Sequence, residues 1–261
     1  MVDFAKFTHK GNLAITANIL SDMQRPTQLH QKVLAWAVHL FTASGLLAGF
    51  MAILAINEAH YREAMVWLLV ALFIDGIDGT FARWLKVKEV LPKVDGKNID
   101  YVIDFATYAI IPAYMINQIG LVPESMNLAA TFLILLVSAI YYGIEGMVSE
   151  DYYFVGFPVL WNMVAFVLIF LVDFSPMMNL MAILFFATLH FVPLKFAYPS
   201  RSSPYFWPTL LASILFLGAL VGILWIFPER NGWLNGMVYL AIAYFGVHSL
   251  VVTFGGMKGK K

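Results

Sequence analysis

Eight long apolar runs take up most of the sequence, and they constrain its fold more than any other feature. Each run has roughly the 20 residues that a helix needs to cross about 30 Å of hydrocarbon. The chain is 61% hydrophobic and only 12% charged, which excludes an ordinary soluble domain. We therefore predict an all-α, polytopic membrane protein with about eight transmembrane helices. The predicted spans lie near residues 33–56, 62–82, 100–121, 127–148, 154–173, 177–198, 206–227 and 232–255.

The basic residues are distributed unevenly between the two ends of these helices. If both termini are cytoplasmic, only Arg62 and Arg230 of the 16 Lys and Arg residues lie outside. Cytoplasmic loops are enriched in Lys and Arg, so this asymmetry favours an even number of spans with both termini inside. The loop between the second and third spans then faces the cytoplasm.

The segment before the first span is too polar to cross the membrane. Within residues 1–31, Leu13, Ala17, Leu20 and Met23 recur at helical spacing, which is typical of a helix lying on the membrane surface. A loosely ordered tail is the alternative. No apolar core precedes a cleavage site, so we expect no removed signal peptide. We predict an N-terminal cytoplasmic segment, 1–31, and one transmembrane catalytic domain, 32–261.

Four aspartates lie within or against the second and third apolar runs, where ionised groups are expensive. Asp75 and Asp78 are three residues apart, and Asp100 and Asp104 are four apart. Both spacings place side chains on one helix face. Because the connecting loop is short, the two pairs should converge. Converging carboxylates repel unless cations intervene, and all-oxygen ligation favours Mg²⁺ or Mn²⁺. The sequence has no cysteine, which excludes thiolate ligands and disulfides.

Glycines and one arginine accompany these four acids. Gly76, Gly79 and Gly96 let a bulky ligand approach the backbone. Arg83, one turn beyond Gly79, offers a planar fork to phosphate. Together with the acids, these residues indicate a phosphorylated substrate bridged by metal ions. The alternative is a salt network in which the acids pair with Arg83 and the lysines of the loop.

The spacing of these residues resembles the signature of the CDP-alcohol phosphotransferases. The first half is Asp75-x-x-Asp78-Gly79-x-x-Ala82-Arg83, and the second is Gly96-x-x-x-Asp100-x-x-x-Asp104. All eight positions of that signature are met. The twelve-residue spacer from Trp84 to Asp95 is longer than in most of the family.

The resemblance implies an activity and a role for each matching residue. Family members are membrane enzymes that join a CDP-activated group to an alcohol and release CMP. The four acids would surround two ions, Mn²⁺ or Mg²⁺, and Asp104 would also be the general base. The positions that would hold the CDP moiety are Asp75, Gly79, Ala82, Arg83 and Gly96.

Within the family, the long spacer, the eight spans and the segment from Tyr153 to Asn162 resemble bacterial members that use choline. This implies CDP-diacylglycerol and choline as substrates in the bacterial inner membrane, with a cytoplasmic active site. We expect no nucleic-acid partner, and a homodimer is the expected assembly. Choline carries a quaternary ammonium, which aromatic faces and nearby anions bind. The choline-binding residues that we predict are Tyr141, Tyr142, Glu145, Tyr153 and Trp161. An interfacial aromatic belt or packing in the core is the alternative explanation for these rings.

Two other functions compete with this prediction. A family member that uses serine or another alcohol would share the same signature. A metal- or proton-coupled transporter would also place acids within its spans. Transporter acids tend to lie near the midplane of the membrane. These four cluster towards one face of it, beside the glycines and the arginine that are predicted to bind phosphate.

Overall fold

The computed structural model describes residues 28–199 and 205–255, and these are mostly helical. The elements of the first half are α1 (Leu29–Asn57), α2 (Tyr61–Trp84), the one-turn α3 (Val87–Val90), α4 (Gly96–Asp104), a π-helical segment (Phe105–Ile110), α5 (Ile111–Ile119), a 3-10 turn (Glu124–Met126) and α6 (Asn127–Tyr142). Those of the second half are β1 (Tyr153–Val155), α7 (Trp161–Phe166), a second π-helical segment (Val167–Leu171), α8 (Pro176–Leu189), β2 (Lys195–Ala197), α9 (Phe206–Ile226) and α10 (Gly232–Gly255). The surface helix expected within residues 1–31 lies almost wholly outside the described residues.

Six continuous helices among the described residues are long and apolar enough to cross a membrane. The third of them, Gly96–Ile119, is made of α4, the first π-helical segment and α5 without a break. Two shorter apolar helices, Trp161–Leu171 and Pro176–Leu189, stand at the fifth and sixth predicted spans. The prediction of an all-α polytopic membrane protein is therefore confirmed.

The fifth and sixth helices are shorter than the sequence predicted. At 1.5 Å per residue they extend about 16 and 21 Å, less than the roughly 30 Å of a hydrocarbon core. The fourth helix also ends early, at Tyr142 rather than near residue 148. Backbone with positive φ at Gly146, Tyr152 and Gly156 interrupts the apolar run at these positions. Of the apolar residues there, Tyr153 and Val159 are buried against protein, whereas Ile144 and Tyr152 are exposed.

A small antiparallel sheet forms from parts of the two apolar runs that were predicted as helix ends. Tyr153 of β1 pairs with Ala197 of β2, and Val155 pairs with Lys195. The Gly156 N–H donates to the carbonyl of Leu194 at 2.8 Å, which extends the contact between these loops. The sequence analysis missed both strands, because three-residue strands carry almost no periodicity.

Contacts at the two ends of the molecule show that α9 runs opposite to α2 and to α10. Arg62, in the first turn of α2, donates to the carbonyls of Trp225 and Phe227 at the end of α9. At the other end, Tyr205 packs against His248 near the end of α10, with ring centroids 5.2 Å apart. The loop 85–95, the sheet and the start of α9 therefore share one end of the molecule with the later part of α2.

Helix α1 presents small residues to its neighbours, and this permits close packing. A Cβ added to Gly49 would lie 2.9 Å from Ile111 Cδ1 and 3.2 Å from Thr107 Cγ2. One added to Gly45 would lie 3.1 Å from Ile103 Cγ2. Small residues four apart let membrane helices approach closely. This packing fixes the position of the third helix, which carries Asp100 and Asp104.

The long spacer between the two halves of the signature is ordered. Its one-turn helix α3 places Val87 against Ala35 and Val38 of α1. Asp95 then caps α4 by accepting from the Lys97 N–H at 3.0 Å. A spacer folded back onto α1 therefore starts α4 at a fixed place relative to α2.

Candidate active site

The sequence predicted that both pairs of acids converge, and three of the four form a close group. Asp75 and Asp78 lie on one face of α2, and Asp100 lies in the second turn of α4. One carboxylate oxygen from each of these three residues lies within 4.8 Å of those from the other two. Asp78 is buried, and the other two are partly exposed. Three carboxylates at this separation match the oxygen ligands that Mg²⁺ and Mn²⁺ take.

Asp104 lies one turn beyond Asp100 on the same helix and close to the other three acids. Its Oδ1 atom is buried and has no hydrogen-bond partner among the described residues. A buried carboxylate oxygen without a partner is costly in a folded protein. This atom is therefore available for a cation or for a proton of the substrate, and the acid set fits a divalent metal centre.

A π-helical segment begins directly after Asp104. It runs over Phe105–Ile110 and widens the helix between α4 and α5. Insertions of this kind occur frequently at functional sites because they re-aim the side chains around them. One side chain in this segment, Tyr108, points back towards the acids.

Tyr108 is a member of the site that the sequence analysis missed. Its buried phenolic O–H donates to Asp75 Oδ2 at 2.6 Å. The signal was present in the sequence, because Tyr108 follows Asp104 by four residues and so shares its helix face. From α1, the Thr42 side chain lies beside the Asp78 carboxylate. These two polar groups restrict the orientations that the carboxylates can take.

The alternative of a salt network receives no support from the described residues. None of the four acids forms an ion pair with a Lys or Arg there. Arg83 donates instead to the Thr80 hydroxyl at 3.0 Å. Lys86 pairs with Glu89. Arg83 lies within electrostatic range of Asp78 without pairing with it, so the acids lack the direct ion pairs that a structural network would require.

Two glycines and the arginine that accompany the acids lie along the more exposed side of the same end of α2. A Cβ at Gly76 would meet nothing within 4 Å, so no protein contact requires glycine there. A Cβ at Gly79 would lie 3.2 Å from Arg83 Nη1. Ala82 is half-buried and Arg83 is exposed. This surface leaves room for a ligand to approach the backbone beside the acids.

Gly96 has a packing reason to be glycine. A Cβ there would lie 3.2 Å from Cε1 of His39, a buried residue of α1. The His39 Nε2 atom has no hydrogen-bond partner among the described residues. Gly96 thus allows α4 to start against α1, and it places this imidazole close to the start of the helix that carries Asp100.

Of the five aromatic and acidic residues predicted for choline, the structure brings Tyr142 to the acids. Tyr142 ends α6 and lies within electrostatic range of Asp104, Asp75 and Asp100. Its ring packs on Tyr101, with centroids 5.8 Å apart, and on Phe105, with centroids 5.9 Å apart.

Two of the other residues lie inside a filled aromatic group around His190. Trp161 is fully buried, stacks on His190 at 5.4 Å and donates from Nε1 to Ser138 at 2.9 Å. Tyr141 is 2% exposed and packs edge-on against the same imidazole at 5.5 Å. These rings occupy the space between α6, α7 and α8.

The remaining two residues lie in the loops. Tyr153 is in β1, where the Lys195 ammonium lies 5.6 Å from its ring centroid. Glu145 was expected within a helix, and that expectation is wrong. The helix ends at Tyr142, so Glu145 lies in an exposed turn, where water replaces the partner that a buried acid would need.

Comparison with known proteins bears directly on this site. A family model described as CDP-alcohol phosphatidyltransferase matches residues 34–193, which include all four acids. The chain belongs to this family. Its members are divalent-metal-dependent membrane enzymes of the CDP-alcohol phosphotransferase class, and the Asp75, Asp78 and Asp100 group is suited to that metal.

Similar proteins of this family come from several bacteria. The chain is 35% identical over 229 residues to a phosphatidylcholine synthase of Rhizobium johnstonii, covering 87% of this chain and 93% of that protein. It is 37% identical over 214 residues to a phosphatidylcholine synthase of Pseudomonas aeruginosa, covering 82% and 90%. A phosphatidylcholine synthase of Borreliella burgdorferi is 34% identical over 226 residues, covering 85% and 95%. The predicted resemblance is therefore confirmed over most of the chain.

Proposed function

We propose that the protein is a phosphatidylcholine synthase, which transfers the phosphatidyl group of CDP-diacylglycerol to choline and releases CMP. The observation that carries this proposal is the convergence of Asp75, Asp78 and Asp100 beside the unpartnered carboxylate of Asp104. The relatives named phosphatidylcholine synthase support choline as the alcohol, because the similarity extends over more than four fifths of the chain.

Two divalent cations, Mn²⁺ or Mg²⁺, are the proposed cofactors, and the four acids are their proposed ligands. Bound there, such ions would neutralise the diphosphate and stabilise the charge that develops as the phosphoryl group is transferred. Tyr108 holds Asp75 through its 2.6 Å hydrogen bond, so this carboxylate keeps one orientation towards the centre. Groups that orient a ligand in this way tune metal affinity.

The proposed reaction is a single displacement at the β-phosphorus of CDP-diacylglycerol. A new P–O bond forms from the choline oxygen, and the bond from that phosphorus to the bridging oxygen of CMP breaks. The hydroxyl proton passes to Asp104, whose Oδ1 atom has no partner among the described residues. A positioned base of this kind contributes about 10²–10⁴ in rate.

The proposed nucleotide site lies along the later part of α2 and the start of α4. Its proposed residues are Asp75, Gly79, Ala82, Arg83 and Gly96. Arg83 is exposed and within a turn of Gly79, so its guanidinium can turn from Thr80 to a phosphate of the CDP moiety. For choline, Tyr142 is the proposed contact among the five predicted residues, because it is the one beside the acids. Tyr141 and Trp161 form part of the packed layer behind it.

We also propose how the chain is arranged in the cell. Residues 32–261 form the catalytic domain, and 1–31 form a cytoplasmic segment. The excess of Lys and Arg at the end that holds the acids supports a cytoplasmic active site in the bacterial inner membrane. A homodimer is the proposed assembly.

An acceptor panel tests the proposed function. Purified protein in nanodiscs receives CDP-diacylglycerol, Mn²⁺ and, separately, labelled choline, serine, inositol or glycerol 3-phosphate. We expect equimolar CMP and phosphatidylcholine with choline, and little product with the other alcohols. Efficient transfer to serine would move the assignment to another member of the family. No CMP release with any alcohol would contradict the enzymatic assignment altogether.

A further inference from the structure

Three aromatic rings form an open group immediately beside the acids. Tyr101 and Phe105 are four residues apart and project from the same face of the third helix. Both rings meet Tyr142 from the end of α6, at interplanar angles of 59° and 84°. We call these three residues the aromatic corner. Because neither ring lies parallel to Tyr142, the group offers ring faces in more than one direction.

The aromatic corner is accessible, in contrast to the rings around His190. Tyr101 is 38% exposed, and Phe105 and Tyr142 are half-buried. Trp161 and Tyr141, by comparison, are at most 2% exposed and already packed on an imidazole. A ligand could therefore reach the aromatic corner without displacing a buried side chain.

The position of the aromatic corner relative to the acids has a chemical consequence. Tyr101 lies within electrostatic range of Asp100 and Asp104, and Phe105 packs on Tyr142. Tyr142 lies within electrostatic range of Asp104. In choline, two carbons join the hydroxyl oxygen to the quaternary nitrogen. If the oxygen reaches Asp104, the trimethylammonium group must lie a few ångströms away, which is where these rings stand.

We propose that Tyr101, Phe105 and Tyr142 bind the quaternary ammonium of the acceptor alcohol and set its selectivity. This inference rests on the proposed function. A quaternary ammonium has no N–H, so ring faces attract it where hydrogen-bond acceptors cannot bind it directly. Serine also carries a carboxylate, which the negative ring faces repel, so the aromatic corner disfavours it.

A neutral isostere of choline separates charge recognition from shape. In 3,3-dimethyl-1-butanol a carbon atom replaces the quaternary nitrogen, so the alcohol has nearly the same shape without the charge. With the unaltered enzyme we expect kcat/KM for choline to exceed that for the isostere by about thirtyfold, which corresponds to about 2 kcal/mol.

The variants test which rings provide this selectivity. Tyr142→Leu and Phe105→Leu should reduce the thirtyfold preference to a few-fold, while Tyr142→Phe should retain most of it because it keeps the ring face. The KM for CDP-diacylglycerol should change little in all three. The matched control is Tyr239→Leu, at an exposed tyrosine of α10, which should leave the preference unchanged.

The outcomes distinguish this inference from the proposed function. If the unaltered enzyme does not use choline, the proposed function fails first. If it uses choline and Tyr142→Leu lowers kcat/KM equally for choline and the isostere, the rings have only a packing role, and this inference is overturned. An unchanged preference in both leucine variants would overturn it as well.

Discussion

The phenolic O–H of Tyr108 donates to Asp75 Oδ2 at 2.6 Å, and this bond joins the π-helical segment to the end of α2 that carries the acids. Asp75 is also one of three residues whose carboxylate oxygens lie within 4.8 Å of one another. A group that orients a metal ligand acts on metal affinity without touching the metal. The Tyr108 hydroxyl is therefore expected to raise metal affinity by orienting Asp75, without contacting the ion itself.

Replacing Tyr108 by Phe removes this hydrogen bond and keeps the ring. We expect the concentration of Mn²⁺ needed for half-maximal turnover to rise about 10- to 100-fold. Metal titrations of the initial rate measure it. The matched control is Tyr114→Phe. It removes a hydrogen bond from the Tyr114 O–H to Asn57 Oδ1 at the opposite end of the molecule. A metal dependence equal to that of the control would show that Tyr108 does not orient Asp75.

Asp104→Asn separates the proposed base from the other acids. The substitution keeps the shape of the side chain but removes its ability to accept the hydroxyl proton, so turnover should fall by about 10²–10⁴. Binding of CDP-diacylglycerol should remain, because the three acids whose carboxylate oxygens lie within 4.8 Å of one another are unchanged. Asp75→Asn is the comparison and should lose both binding and turnover. Equal loss of lipid binding in the two variants would leave Asp104 without a separate role.

Arg83→Ala tests the nucleotide site. Removing the guanidinium should raise the KM for CDP-diacylglycerol about tenfold or more, because a charge-assisted hydrogen bond to phosphate is worth about 1.5–3 kcal/mol. Arg83→Lys should recover only part of the affinity, since an ammonium cannot make a bidentate contact. Lys86→Ala is a control in the loop that follows α2, where Lys86 pairs with Glu89. An unchanged KM in Arg83→Ala would remove Arg83 from the nucleotide site.

Gly49→Ala tests how α1 positions the third helix. The added methyl would lie 2.9 Å from Ile111 Cδ1, so the helices must separate or side chains must move. We expect a loss of about 1–3 kcal/mol in stability, measured as a lower melting temperature in detergent. Gly218→Ala is the control, because a Cβ there meets nothing within 4 Å. A melting temperature as high as that of Gly218→Ala would show that this contact does not limit stability.

The sequence was sufficient to predict those parts of the structure that depend on local spacing. Asp75 and Asp78 share a face because they are three residues apart, and their convergence with Asp100 follows from a short connection between two helices. The fifth and sixth helices were predicted too long, because composition and periodicity do not distinguish short apolar strands and loops from helix ends. Gly146 and Gly156, both at positive φ, mark the departure from helix.

The partners that distant segments supply could not be read from local spacing. Thr42 reaches Asp78 from another helix, and Tyr142 joins Tyr101 only after α6 packs beside the π-helical segment. Tyr141 and Trp161 were predicted as choline ligands on composition and position alone. The packing of both rings on His190 depends on how α8 returns to α6 and α7.

Metal occupancy tests the central claim most directly. Purified protein is stripped with EDTA, dialysed and titrated with Mn²⁺ while free Mn²⁺ is followed by electron paramagnetic resonance, and turnover is assayed on the same samples. We predict two bound ions per chain, no turnover in the stripped protein and recovery on adding Mn²⁺. In Asp78→Asn at least one bound ion and the turnover should be lost. Full turnover in the stripped protein, or Mn²⁺ binding unaffected by Asp78→Asn, would contradict the account.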